Sequence, residues 1–139
     1  MMKKFIVCDI GKKHVIVFNP ETREHHTITT EQFKSLDVPN LCDDMTIVIE
    51  DAHLRSQEEN SLAQTYRIDE LKVFKETANS RNIEILCFPQ KTTPKTRKIA
   101  SLESPHLGDK SDQNDTESIA YYLEKFPHVF ESLKVFKPM

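Results

Sequence analysis

Phe5-Ile6-Val7-Cys8-Asp9-Ile10 is apolar on both faces of the strand that its β-branched and aromatic residues favour. A segment of this kind belongs in the interior of a sheet, with other elements stacked on each side. One residue breaks the pattern. Asp9 is followed by Ile10, so its carboxylate stays within the apolar run instead of marking the point where the strand meets water. A carboxylate half inside a sheet is costly unless it is paired or bound to a cation. This one strand therefore constrains both the architecture and the chemistry.

The rest of the chain supplies partners for it. Only two glycines occur, Gly11 and Gly108, so each tight turn is informative. Gly11-Lys12-Lys13 makes a short turn into a second strand over 14–18. Asn19-Pro20-Glu21 is a turn signal, and a third strand follows over 25–29. These strands form an antiparallel 1-2-3 meander, with His25 and His26 on its edge strand. Thr29-Thr30-Glu31-Gln32 has the character of a capping box and starts a short helix through Leu36, which Pro39-Asn40 breaks. Residues 45–49 form the next buried strand, which ends abruptly in Glu50-Asp51. Over 57–81 the pattern is helical, with Ala63, Tyr66, Leu71, Phe74 and Ala78 on one apolar stripe. Residues 83–88 form a fifth strand closed by Pro89. A basic loop follows, then a last helix over 112–126 whose Ile119, Ala120 and Leu123 face inward. The order β-β-β-α-β-α-β-α predicts a single α/β domain over 1–139, with a mixed five-stranded sheet and helices on its faces.

The apolar fraction of 37% and charged fraction of 29% suit a soluble globular chain, and no apolar run approaches a membrane span. The opening Met1-Met2-Lys3-Lys4-Phe5 meets Asp9 too soon for a signal peptide. Cys8, Cys42 and Cys87 lack metal-type spacing, and two of them sit in strand-like apolar runs, which predicts buried reduced thiols and a cytoplasmic location. The net charge of −3, from 22 acids against 19 bases, counts mildly against a nucleic-acid binder. Local distribution matters more. The segment 91–98 carries Lys91, Lys95, Arg97 and Lys98 with no acid, which makes it a candidate phosphate-contacting patch as well as an ordinary solvated loop.

Acids recur at the ends of buried elements. Glu50 closes the fourth strand; Asp51 is the alternative to it and points to the opposite face if the strand persists. Asp112 and Asp115 stand three apart, on a helical stripe that Ile119 and Leu123 continue. Acids also favour a helix N-terminus simply because they complement its dipole. If the acids converge, they repel one another unless a cation neutralises them. Carboxylate oxygens suit Mg²⁺ or Mn²⁺ and not Zn²⁺. Two such ions about 4 Å apart can promote phosphodiester cleavage. His53 and Asp109 read as loop residues near these acids, and Lys110 stands close enough to the last pair to reach a phosphate.

The segments FIVCDIGKKHVIVFN, TIVIEDA and KSDQNDTESIAYYL together resemble the RuvC-like branch of the RNase H-like superfamily. That branch includes Holliday junction resolvases and the DEDD transposases of insertion sequences. The family pattern has an Asp on the first strand, a Glu ending the fourth, and D-x-x-D opening the last helix ahead of small apolar residues. The resemblance assigns these places to Asp9, Glu50, Asp112 and Asp115. It implies an RNase H-like fold and a divalent-metal-dependent endonuclease acting on branched or structured DNA. It further implies two Mg²⁺ or Mn²⁺ ions and a homodimer for paired cuts. Thr116 departs from the family's usual Ala, and the transposases' second domain, with its serine, has no counterpart here. Two other readings remain: a non-catalytic RNase H-like module serving DNA binding or assembly, and an actin-like ATPase half. Two glycines cannot supply the phosphate loops that the last of these needs.

Overall fold

The computed structural model describes residues 3–51, 66–89, 92–108 and 111–137. The predicted α/β class is observed, built on a mixed sheet of six strands in the order β3-β2-β1-β4-β5-β6. The strands are β1 (Phe5–Ile10), β2 (His14–Asn19), β3 (Glu24–Thr29), β4 (Thr46–Asp51), β5 (Glu84–Pro89) and β6 (Lys134–Val135). The meander β1-β2-β3 is antiparallel, β4 and β5 run parallel to β1, and β6 returns antiparallel to β5. As its two-faced apolar pattern predicts, β1 is interior.

The described residues form four α-helices, α1 (Thr30–Lys34), α2 (Ile68–Ser80), α3 (Thr93–Ser101) and α4 (Asp112–Lys125), with α3 packed on α4. The alternation of β1 divides its side chains between two cores. Ile6, Cys8 and Ile10 join Phe33, Leu71, Phe74 and Ala78 beneath α1 and α2. Phe5 and Val7 join Ile119, Ala120, Leu123 and Phe130 beneath α4. The capping box forms as predicted. Thr29 accepts from the Gln32 amide at 3.1 Å, and the Gln32 side chain accepts from the Thr29 amide at 2.9 Å.

Three expectations are corrected. The sheet has a sixth strand, because Phe130 and Phe136 anchor the last residues in the two opposite cores and draw Lys134–Val135 along the open edge of β5. The segment read as a basic loop is mostly the helix α3. Pro94 in its first turn is pre-organised for helix, and Thr96 and Ala100 bury one side. The short helix α1 ends at Lys34, ahead of Leu36. In the long helical stretch, residues 57–65 lie outside the described ones. Tyr66 is buried but precedes α2, and its hydroxyl donates to the Thr30 carbonyl at 2.6 Å. Cys8 and Cys87 are buried free thiols, as expected. No helix among the described residues is long and apolar enough to cross a membrane.

Candidate active site

Two of the acids are positioned by strand register. Cys8 of β1 lies opposite Ile49 of β4 in a parallel ladder, so Asp9 and Glu50 follow at the next position on neighbouring strands. Cys8 and Ile49 both point into the core under α1 and α2. Successive strand residues alternate faces, so Asp9 and Glu50 both turn to the face that α4 covers. Both are half-buried. Asp9 also pairs with Ile16 across β2, and Glu50 with Phe88 across β5. Burial pushes the neighbouring Cys8 thiol well up from its ordinary value, and the charge of Asp9 adds to the effect, so this thiol stays protonated and unreactive.

Asp9, Ile16 and Thr27 form the floor of a cleft of about 540 Å³, walled by the hairpin residues Gly11, Lys12, Lys13 and His14. Gly11 is required by close approach. Its amide donates to the His14 carbonyl at 2.9 Å, and a Cβ built there would stand 2.8 Å from that same oxygen. The tight hairpin thus puts two exposed lysines beside Asp9. The sequence marked them only as turn residues, although their place three and four positions after the strand acid was the available signal.

The helix brings the other acids. Ser111 caps α4, accepting from the Asn114 amide at 3.0 Å, and the first helical bond runs from the Asp115 amide to the Ser111 carbonyl at 2.9 Å. Asn114 is tied to the turn before it by donating to the His106 carbonyl at 2.9 Å. Ile119, Ala120 and Leu123 are fully buried, so the predicted inward stripe is correct and Asp115 lies at its N-terminal end. At the sheet edge Glu117 is approached by His106 at 3.4 Å and by His25 and Arg23 at 3.8 Å. The edge-strand His25, to which the sequence assigned no role, therefore helps seat α4.

Asp115 is only 9% exposed. Its Oδ1 accepts from Arg97 Nε of α3 at 2.9 Å, with both side chains largely shielded. This divides the predicted phosphate patch. Lys95 and Lys98 are exposed on α3, whereas Arg97 turns inward to an acid. Lys91, Lys110, His53 and Asp109 lie outside the described residues, as do the side chains of Asp51 and Asp112; the Asp112 backbone opens α4.

By donor chemistry the acids suit a hard divalent ion. By placement they do not assemble a site for one: among the described residues, no three His, Cys, Asp or Glu side chains are grouped to hold a metal. Asp9 and Glu50 are neighbours, while Asp115 is engaged by an arginine. The chain matches no protein-family model, and no curated protein sequence matches it.

Proposed function

We propose that the chain is an RNase H-like, RuvC-like endonuclease that depends on Mg²⁺ or Mn²⁺ and cuts the backbone of branched or structured DNA, acting as a homodimer. The observation that carries this reading is the register of β1 against β4. It sets Asp9 and Glu50, 41 positions apart in sequence, side by side on one face of the sheet. That is the relation between a first-strand Asp and a fourth-strand Glu which the resemblance implies, with α4 carrying Asp112 and Asp115 on the layer over the same face. The open cleft at Asp9 suits a substrate strand, and Lys12 and Lys13 can hold its phosphates without reading its sequence. Lys95 and Lys98 extend the cationic surface, with Lys91 and Lys110 as further candidates.

A second reading is favoured by a specific observation. Arg97 occupies Asp115, and the described carboxylates form no three-ligand group, as in a module that keeps the fold and binds DNA without cutting it. One experiment separates the two. Four-way junctions, duplexes and single strands are incubated side by side with the chain in Mg²⁺, in Mn²⁺ and in EDTA. The nuclease reading expects metal-dependent nicks in the junction. Binding of the junction without cleavage in either metal establishes the module instead.

A further inference from the structure

The outward face of α3 combines positive charge with a bare apolar side chain. Thr96 and Ala100 bury the opposite side of the helix, and Arg97 fastens it to α4 through Asp115 at 2.9 Å. Helical spacing sets what is left for solvent. Lys95, Lys98 and Leu102 follow one another at steps of three and four, so they share one face, and all three are exposed. Leu102 closes α3 with helical backbone angles, which keeps it in line with the two lysines. It is 81% exposed, more than any other large apolar side chain among the described residues. No acid occurs over 91–102, and Glu103, the first to follow, is held by Lys125 at 3.0 Å. The face is therefore positive along its length and apolar at its end.

Regular duplex DNA offers such a face its phosphates but nothing for the leucine, because its bases are stacked on one another. Where stacking is interrupted, base faces are open, and an apolar wedge can enter beside phosphates that neighbouring lysines hold. An anionic lipid surface also joins negative charge to apolar depth, yet one leucine and two lysines are too few to anchor a chain there. We propose that this face of α3 is a DNA contact in which Lys95 and Lys98 hold phosphates and Leu102 inserts at an unstacked step, so that branch points are preferred to regular duplex. The inference rests on the reading that the chain binds structured DNA, and it names the contact that selects the structure. It requires no metal and no cleavage.

Fluorescence anisotropy tests it, with the full chain in EDTA at one fixed salt concentration, on a four-way junction and on a duplex of equal length. The proteins are the parent, Leu102→Ala and Lys95→Ala/Lys98→Ala. A second junction carries 2-aminopurine at the branch point, where its emission rises when the base unstacks. Leu102→Ala should keep the parent's melting temperature and duplex affinity, bind the junction about fivefold or more weakly, and lose the 2-aminopurine signal. Lys95→Ala/Lys98→Ala should weaken junction and duplex alike. Parent affinity and signal retained in Leu102→Ala overturn the proposal and leave the DNA-binding reading standing. A parent that binds junction and duplex equally does the same. No binding of either DNA by the parent removes both. Vesicles of phosphatidylserine and phosphatidylcholine form the last arm: if they bind the parent but not Leu102→Ala, and the junction does not distinguish the two proteins, the face belongs to lipid and the proposal falls.

Discussion

The acids of the candidate site come in two halves that are held by different physics. Asp9 and Glu50 belong to interior strands, where ladder hydrogen bonds on both sides and fully buried neighbours such as Cys8 and Ile49 fix their positions. Asp115 belongs to the first turn of a helix, and a side-chain ion pair from a separate helix decides what its carboxylate meets. The strand half cannot rearrange without breaking the sheet. The helix half depends on a single side-chain ion pair between two helices.

The largest effect expected from this contrast falls on the strand half. Asp9→Asn and Glu50→Gln keep shape and remove charge, so under the proposed nuclease function metal-dependent cleavage should drop by roughly a thousandfold or more, since metal assistance is worth several kcal/mol in the transition state. Their melting temperatures should stay at or above the parent value, because relieving repulsion among acids offsets any weakened hydrogen bond. Junction-cleavage rates and melting curves on the same preparations check this. A variant cutting at the parent rate breaks the comparison for that residue.

The next effect bears on the helix half through its packing. Ile119 is fully buried where α4 meets the sheet, so Ile119→Ala should cost about 2–5 kcal/mol in stability, read from denaturant unfolding. A cost near zero would mean that α4 is not held on the sheet as described, and Asp115 would lose its positioning.

A smaller effect separates the inward and outward sides of α3. The double change Lys95→Ala/Lys98→Ala should lower the slope of log affinity against log salt by about one for each phosphate left without its lysine, with DNA affinity weakened evenly across sequences. Salt-dependent binding isotherms measure it. An unchanged slope assigns both lysines to solvent and confines the cationic surface to Lys12 and Lys13.

The smallest effect is a control on the opposite face. At the start of α2, the Arg67 guanidinium holds the Asp69 carboxyl down to about 2, donating from Nη2 at 2.6 Å. Glu70 is also held below its ordinary value, by Lys34 first and then by the Arg67 backbone. Acids depressed in this way stabilise the fold above their ordinary values of 3.8 and 4.5, and that contribution disappears as pH falls through this range toward 2. Melting temperature followed from pH 5 down to about 2 should therefore decline less steeply in Asp69→Asn than in the parent. Because Asp69 is well exposed, the difference should be slight, and an identical decline in both proteins would dismiss the contribution.

Much of the molecule was legible locally. Two-faced apolar runs marked β1 and β4 as interior strands, since an interior strand must be apolar on both sides. The capping box at Thr29 and the stripe of Ile119, Ala120 and Leu123 were equally plain, because a cap spans three residues and a helical stripe repeats within four. The sequence also singled out Asp9, an acid inside an apolar run, and the Asp112–Asp115 spacing. What it could not determine depends on elements meeting across long separations. The Cys8–Ile49 register that makes Asp9 and Glu50 neighbours is a pairing of strands, not a property of either one. Two residues, Lys134 and Val135, are too few to announce a strand; they become one because Phe130 and Phe136 anchor them beside β5. A run of bases looked like a loop until Thr96 and Ala100 found a surface to bury against. The partner of Arg97 was decided last, by the packing of α3 on α4, because a charged side chain takes whichever opposite charge the tertiary structure brings within reach.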